Sequence, residues 1–433
     1  MLASSPAVAA SAGILARASS NIIPNFGFMS VQNSTGASAA IAELSKHIDI
    51  LLTDWSSSDD FGARRRQLEN QVNKKAEEYT NARLDTQRDA SPWQHTAADL
   101  AVLAAAIKCS VAMYDPSKKP VDDKLSFEIV HSIPASATGL IKATTFTRVS
   151  VTSPSVAVSG GGSFPALVIA VRGSMTLIDW VVNGNHETRD AREMFDSADW
   201  LPKERAHDSF KVHSGFRNGA KALIPAVKQQ LLQAADSGRA THIIFTGHSA
   251  GGAIASLLYL HFLGIARQTF PSLRLSLATF GSPPILSPPV TDLLNTHLSG
   301  HPNADLAVAV VNETDVATRA DKAYLLSLVN LYRSIDGLAP IAPGEEDEGT
   351  GTESDGLKPV KGEWDLPPPV LHHVGNLVVL KEVGEDEEDE PVMGAFRVEG
   401  TTFARLLFCS SRAHHKEVYL GAVERLRGAE EGV

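Results

Sequence analysis

HIIFTGHSAGGAIASLLYLH, residues 242–261, decides how this chain is read. His242 to Thr246 is a short, β-rich apolar run, and Ala253 to His261 carries small and apolar residues at helical spacing. Between them stand Gly247-His248-Ser249-Ala250-Gly251, followed by Gly252. The order predicts strand, very tight turn, helix. Such a turn lifts the Ser249 hydroxyl clear of the backbone. It needs small residues two before and two after the serine, which Gly247 and Gly251 supply. The helix that follows would aim free N–H groups and its positive dipole end at the serine oxygen. G-x-S-x-G alone arises by chance in long chains. The apolar strand before it and the helix after it are what a chance match lacks, so Ser249 is the candidate nucleophile.

Working outward, 433 residues with 43% hydrophobic content suffice for one large domain with additions, or for two. The formal charge is −11, and no basic patch with interleaved aromatics is present, which argues against nucleic acid as a partner. Cys109 and Cys409 are too few for a disulfide framework and point to a reducing compartment. The longest apolar run, 97–114, contains Asp99 and Lys108 and reads as a soluble helix.

Residues 1–40 are rich in Ala, Ser and Asn with one charge, Arg17. They lack the layout of a secretory signal. The absence of acids before Glu43 admits a mitochondrial transit segment, and a disordered tail is the preferred reading. Residues 41–90 form a helical extension with predicted helices at 41–55 and 60–88, the second so charged that it reads as a solvated surface helix. Ser91-Pro92 is expected to open a helix running through Met113. Strands are predicted at 125–131, 141–152, 166–171, 242–246, 273–280 and 305–311, with helical segments between several of them. That alternation predicts an α/β fold with a mixed sheet over 91–433. Acidic stretches at 338–369 and 384–391 interrupt it and read as surface loops, not metal sites, since no D-x-D-x-D-G loop occurs.

A serine needs a base, an acid to orient that base, and donors for an oxyanion. Strand 166–171 ends in Arg172-Gly173-Ser174, which puts the Ser174 N–H in a position to serve as one donor, the Ala250 N–H being the other. Strand 305–311 ends in Asn312-Glu313-Thr314-Asp315, and a carboxylate just beyond a strand's C-terminal end is where the acid belongs. Asp321, six residues on, reads as a helix cap. Four histidines lie downstream: His372 and His373 before an apolar strand, and His414 and His415 opening the terminal helix HHKEVYLGAVERL.

Taken together, these residues resemble the class 3 (fungal-type) lipases, in particular their intracellular diacylglycerol-lipase-like branch. The matching blocks are VRGSMTLIDW at 171–180, VHSGF at 212–216, FTGHSAGGAIASLLY at 245–259, TFGSPP at 279–284, NETDVATRAD at 312–321 and HHVGNLVVL at 372–380. The resemblance implies an α/β-hydrolase fold with a mixed, mostly parallel central sheet and a Ser-Asp-His triad. Ser249 would be nucleophile, Asp315 the acid, and Ser174 and Ala250 the oxyanion donors. The base would be His414 or His415, just before Tyr419, with His373 as runner-up.

It further implies hydrolysis of acylglycerol-type lipid esters through an acyl-enzyme, without metal or organic cofactor. Transient contact with a membrane or lipid-droplet surface and a hinged apolar lid somewhere in 175–211 are part of the same expectation. The location implied is intracellular, cytoplasmic with peripheral membrane association. Residue types leave three rivals standing: a lipase-like binding or signalling module without turnover, an acyltransferase, and a short-chain esterase. Oligomeric state has no signature in the sequence.

Overall fold

The computed structural model describes residues 36–431 except 54–59, 116, 118, 138–139, 153–163, 174–187, 197, 199–210, 288–299, 343–360 and 386–390. In chain order its longer helices are α1 (Ala37–Thr53), α2 (Asp60–Ala76), α3 (Ala97–Ala112), α4 (Ser214–Ser237), α5 (Ala250–Thr269), α6 (Lys322–Ile335) and α7 (Lys416–Glu431). The strands are β1 (Ser91–Pro92), β2 (Leu125–Ile133), β3 (Thr144–Val151), β4 (Ala166–Val171), β5 (Thr188–Asp190), β6 (Lys211–His213), β7 (His242–His248), β8 (Arg274–Phe280), β9 (Ala304–Asn312), β10 (Asn376–Glu385) and β11 (Pro391–Val398).

Among the described residues nine strands form one sheet in the order β1-β11-β10-β9-β8-β7-β4-β3-β2, and β5 pairs with β6 apart from it. The five central strands, β4, β7, β8, β9 and β10, run parallel, while β2, β3, β11 and β1 extend the sheet antiparallel at its two flanks. The sequence shows why. β4 reads ALVIAV and is buried at every position, as a strand covered on both faces must be. Along β7, Ile243 and Phe245 join the apolar cluster under α4 and α5, while Ile244 joins the cluster under α3 and α7. That period-two alternation makes a three-layer α/β sandwich. With helices on both faces and a serine elbow after a central strand, this is the α/β-hydrolase fold.

Two predicted boundaries moved. Ser91-Pro92 does not open a helix; it forms the short edge strand β1 against Arg397 and Phe396. The helix begins at Ala97, because Thr96 and Asp99 make a reciprocal capping box that satisfies the N–H groups of both residues. The charged helix predicted over 60–88 stops at Ala76. It is also not solvated all round: Glu69 is buried, and Leu68 and Val72 pack with α1 and α6 in a shared apolar cluster. Cys109 and Cys409 are both free thiols. The apolar lid expected in 175–211 falls mainly outside the described residues, as do the 1–35 tail and most of both acidic stretches.

Candidate active site

Parallel strands all deliver their C-terminal ends to one edge of the sheet, and the site is built there. β7 ends at His248 and α5 starts at Ala250, so one residue makes the turn. That residue, Ser249, has φ 59° and ψ −134°. A side chain at positive φ costs on the order of 1–3 kcal/mol, which the surroundings must over-determine. They do so from both sides. The Ser249 N–H donates to Phe280 O at 2.9 Å, and the Ser249 carbonyl accepts from Gly252 N at 2.9 Å. The flanking glycines are required by close approach. A Cβ on Gly247 would lie 2.4 Å from Gly251 C, and one on Gly251 would lie 2.1 Å from Val171 O at the end of β4.

The acid arrives one strand beyond the neighbour of β7. β9 ends at Asn312, Thr314 takes φ 75°, and Asp315 follows, wholly buried. Its Oδ1 accepts from Ala317 N at 2.9 Å. Its Oδ2 accepts from Tyr419 Oη at 2.6 Å and from His414 Nδ1 at 2.9 Å. With Nδ1–H given to the carboxylate, the neutral imidazole carries its lone pair on Nε2, as a general base requires. The strand end between Ser249 and the pair is Phe280-Gly281. Phe280 O takes the Ser249 amide, and a Cβ on Gly281 would meet Asp315 Oδ2 at 2.9 Å and His414 Nδ1 at 3.0 Å. The TFGSPP stretch is therefore the spacer between the Asp315–His414 pair and the elbow.

Of the histidines, the structure places His414 on Asp315. His415 is half-buried, and its carbonyl accepts from Val418 N and Tyr419 N to start α7. His373 gives its Nε2–H to Thr318 O at 3.0 Å and packs edge-on against Phe403. Burial holds its pKa down to about 4, the Thr318 carbonyl opposing only in part. His372 is engaged through its backbone with Leu286. Asp321 caps α6 through Tyr324 N at 2.8 Å, as its spacing predicts. Ala250 is the first residue of α5, where an N–H has no intrahelical acceptor. Ser174 lies outside the described residues.

Three neighbours of the pair escaped the sequence reading. Tyr419 served there only as a landmark. Here its hydroxyl donates to Asp315 and accepts from Asn312 N at 3.0 Å, and burial beside the carboxylate pushes its pKa well up, so it stays a donor. His248 gives Nε2–H to His414 O at 2.6 Å and accepts at Nδ1 from Tyr114 Oη at 3.1 Å. Burial first, then His414, holds the His248 ring well below the ordinary imidazole range, so it stays neutral. Tyr114, two residues past the end of α3, completes that contact, and burial raises its hydroxyl above the usual phenol range. None of the three has a sequence signal that marks it as a partner of the pair.

Among solved structures, the triacylglyceride lipase of Rhizomucor miehei is 15% identical, with a TM-score of 0.43 over 75% of this chain and 96% of that one. A triacylglycerol lipase of Penicillium expansum is 15% identical, with a TM-score of 0.36 over 71% and 86%. Lipase II of Rhizopus niveus is 19% identical, with a TM-score of 0.31 over 54% and 77%. No curated protein matches the chain. Residues 168–324, which carry β4, the elbow, β8, β9 and Asp315 but not His414, match the model of the family Lipase (class 3).

Proposed function

We propose that this chain is a serine carboxylic-ester hydrolase acting on lipid esters of the acylglycerol type. The observation that carries the reading is the buried Asp315–His414 pair at 2.9 Å, seated through Phe280-Gly281 against the strained Ser249 elbow. The class 3 lipase match supports a lipid ester as the substrate class.

In this reading Ser249 Oγ attacks the ester carbonyl while His414 Nε2 takes its proton. Asp315 holds the ring in the tautomer that accepts there and stabilises the imidazolium as it forms. The tetrahedral oxyanion is received by the Ala250 N–H and the Ser174 N–H, each such donor being worth about 3 kcal/mol of barrier. The imidazolium then protonates the leaving alcohol. Water, deprotonated by the same His414, hydrolyses the acyl-enzyme.

The test is hydrolysis of p-nitrophenyl butyrate and palmitate, with a detergent or lipid interface supplied, by the parent chain and Ser249→Ala. Turnover that disappears in the variant supports the reading, and the butyrate-to-palmitate ratio separates esterase from lipase. A folded parent with no turnover on either ester overturns it in favour of a binding module.

A further inference from the structure

The N-terminal helical extension contributes a carboxylate that the proposed chemistry does not use. Glu69, on α2, is 7% exposed. Its donors all belong to one turn. Oε1 accepts from Ser411 N at 2.7 Å, Arg412 N at 3.2 Å and Ser410 Oγ at 3.2 Å, and Oε2 accepts from Ser411 Oγ at 2.5 Å. Burial raises the Glu69 pKa while these donors pull it back. The turn leads straight into the base: His414 N donates to Ser411 O at 3.1 Å within the short 3-10 turn Arg412–His414. Glu69 thus caps, from another helix, the free N–H groups at the start of the turn that carries His414.

The opposite side of the same turn is tied to the acid. Ser410 N donates to Thr314 O at 2.8 Å, and Val316 N donates to Ser410 O at 3.2 Å, on either side of Asp315. A cleft of about 270 Å³, bordered by Asn70, Asn73, Thr314, Ser410 and Arg412, runs alongside, so packing alone does not wedge the turn on that flank. Further along the same extension, Leu84 N donates to Glu313 Oε1 at 2.8 Å, two residues before Asp315.

We propose that Glu69 is a positioning residue for His414: the N-terminal extension holds the base turn against the acid loop, and this carboxylate is its hydrogen-bonding contact with residues 410–412. The proposal rests on the hydrolase reading of Ser249, Asp315 and His414. Polar anchors of this kind set reacting groups to within fractions of an ångström, and misplacement by about 1 Å costs up to about a hundredfold in rate.

The experiment compares the full chain with Glu69→Ala, Glu69→Gln, Ser411→Ala and Ser249→Ala. It measures kcat and KM on p-nitrophenyl butyrate, normalised to sites titrated with an organophosphonate, together with the thermal midpoint. Glu69→Ala is expected to lose on the order of ten- to a hundredfold in kcat with KM within about twofold. Glu69→Gln keeps an acceptor for both backbone amides and is expected to recover kcat to within about threefold of the parent. A kcat for Glu69→Ala equal to the parent's overturns the proposal. So does a Gln variant no better than Ala, which would leave only a structural role. If Glu69→Ala does not fold, Ser411→Ala decides: it removes the 2.5 Å hydroxyl contact alone, and an unchanged kcat overturns the proposal. If instead the parent and Ser249→Ala turn over alike, the hydrolase reading itself has failed and the proposal falls with it.

Discussion

Tyr419 Oη and His414 Nδ1 converge on the same oxygen of Asp315, at 2.6 and 2.9 Å. A buried carboxylate with two donors on one oxygen is held in a single rotamer, and the ring it orients is held with it. Tyr419→Phe removes one donor and strands Asn312 N, which loses its acceptor. Leaving a buried N–H unsatisfied costs about 1–3 kcal/mol, so urea unfolding should show a loss of that size. The kcat should fall too, but by less than in Asp315→Asn. A Tyr419→Phe chain as stable as the parent would contradict this account.

The adjacent histidines are separable by substitution. In the hydrolase reading His414→Gln, Ser249→Ala and Asp315→Asn should each lower kcat by about four orders of magnitude or more, because the members of a triad act as a unit. For the same reason the Ser249→Ala, His414→Gln double variant should be little worse than either single. His415→Gln should keep kcat within a few-fold, since His415 is engaged in starting α7 through its carbonyl. Steady-state rates on p-nitrophenyl butyrate check all five variants, and a His415 variant as dead as His414→Gln would refute the assignment.

Acid sensitivity should trace in part to His373. Its folded pKa, depressed to about 4, lies below the ordinary unfolded value near 6.5. Between those values the unfolded chain binds a proton that the folded chain refuses. Stability from this group is therefore complete above pH 6.5, is lost as pH falls toward 4, and is level below that. The full difference is about 3 kcal/mol. His248, also depressed by burial, acts in the same direction. Denaturant titrations at pH 7 and pH 4.5 should show His373→Gln losing about 2–3 kcal/mol less than the parent between the two. Equal losses would show that His373 does not contribute.

Two glycines should respond oppositely to a methyl group. Gly251→Ala drives a Cβ to 2.1 Å from Val171 O, a backbone atom at the end of β4. Overpacking there should cost about 3 kcal/mol or more, seen as a lowered melting temperature or loss of soluble protein. Gly428→Ala, at an exposed position of α7 with open space around it, should gain about 0.5–1 kcal/mol. Differential scanning calorimetry of the two purified variants decides it.

The parallel core of the sheet and the elbow were legible because they depend on local pattern. β4 shows as an unbroken apolar run, and β7 with α5 shows as a change of period across a Gly-Ser-Gly turn. Asp315 was legible because it follows a strand end. The choice between His414 and His415 was not, since neighbours in a turn point different ways and only the contact with Asp315 separates them. Ser91-Pro92 misled because a proline that suits a helix start equally suits an edge strand. Glu69 misled for a different reason: one buried carboxylate in a run of exposed charges has no periodic signature, and its partners lie 341 to 343 positions away.

That distance along the chain has a consequence in time. Ser249 is translated long before His414 and Tyr419, and Glu69 long before either. A growing polypeptide on the ribosome would carry the strained serine elbow without a base beside it, so in the hydrolase reading no nascent chain could attack an ester until the segment through Tyr419 had emerged and folded back. A chain stopped at residue 405 should accordingly be inert toward p-nitrophenyl butyrate and recover turnover when residues 406–433 are supplied as a separate peptide, whereas a truncated chain already active on its own would show that the base turn is dispensable.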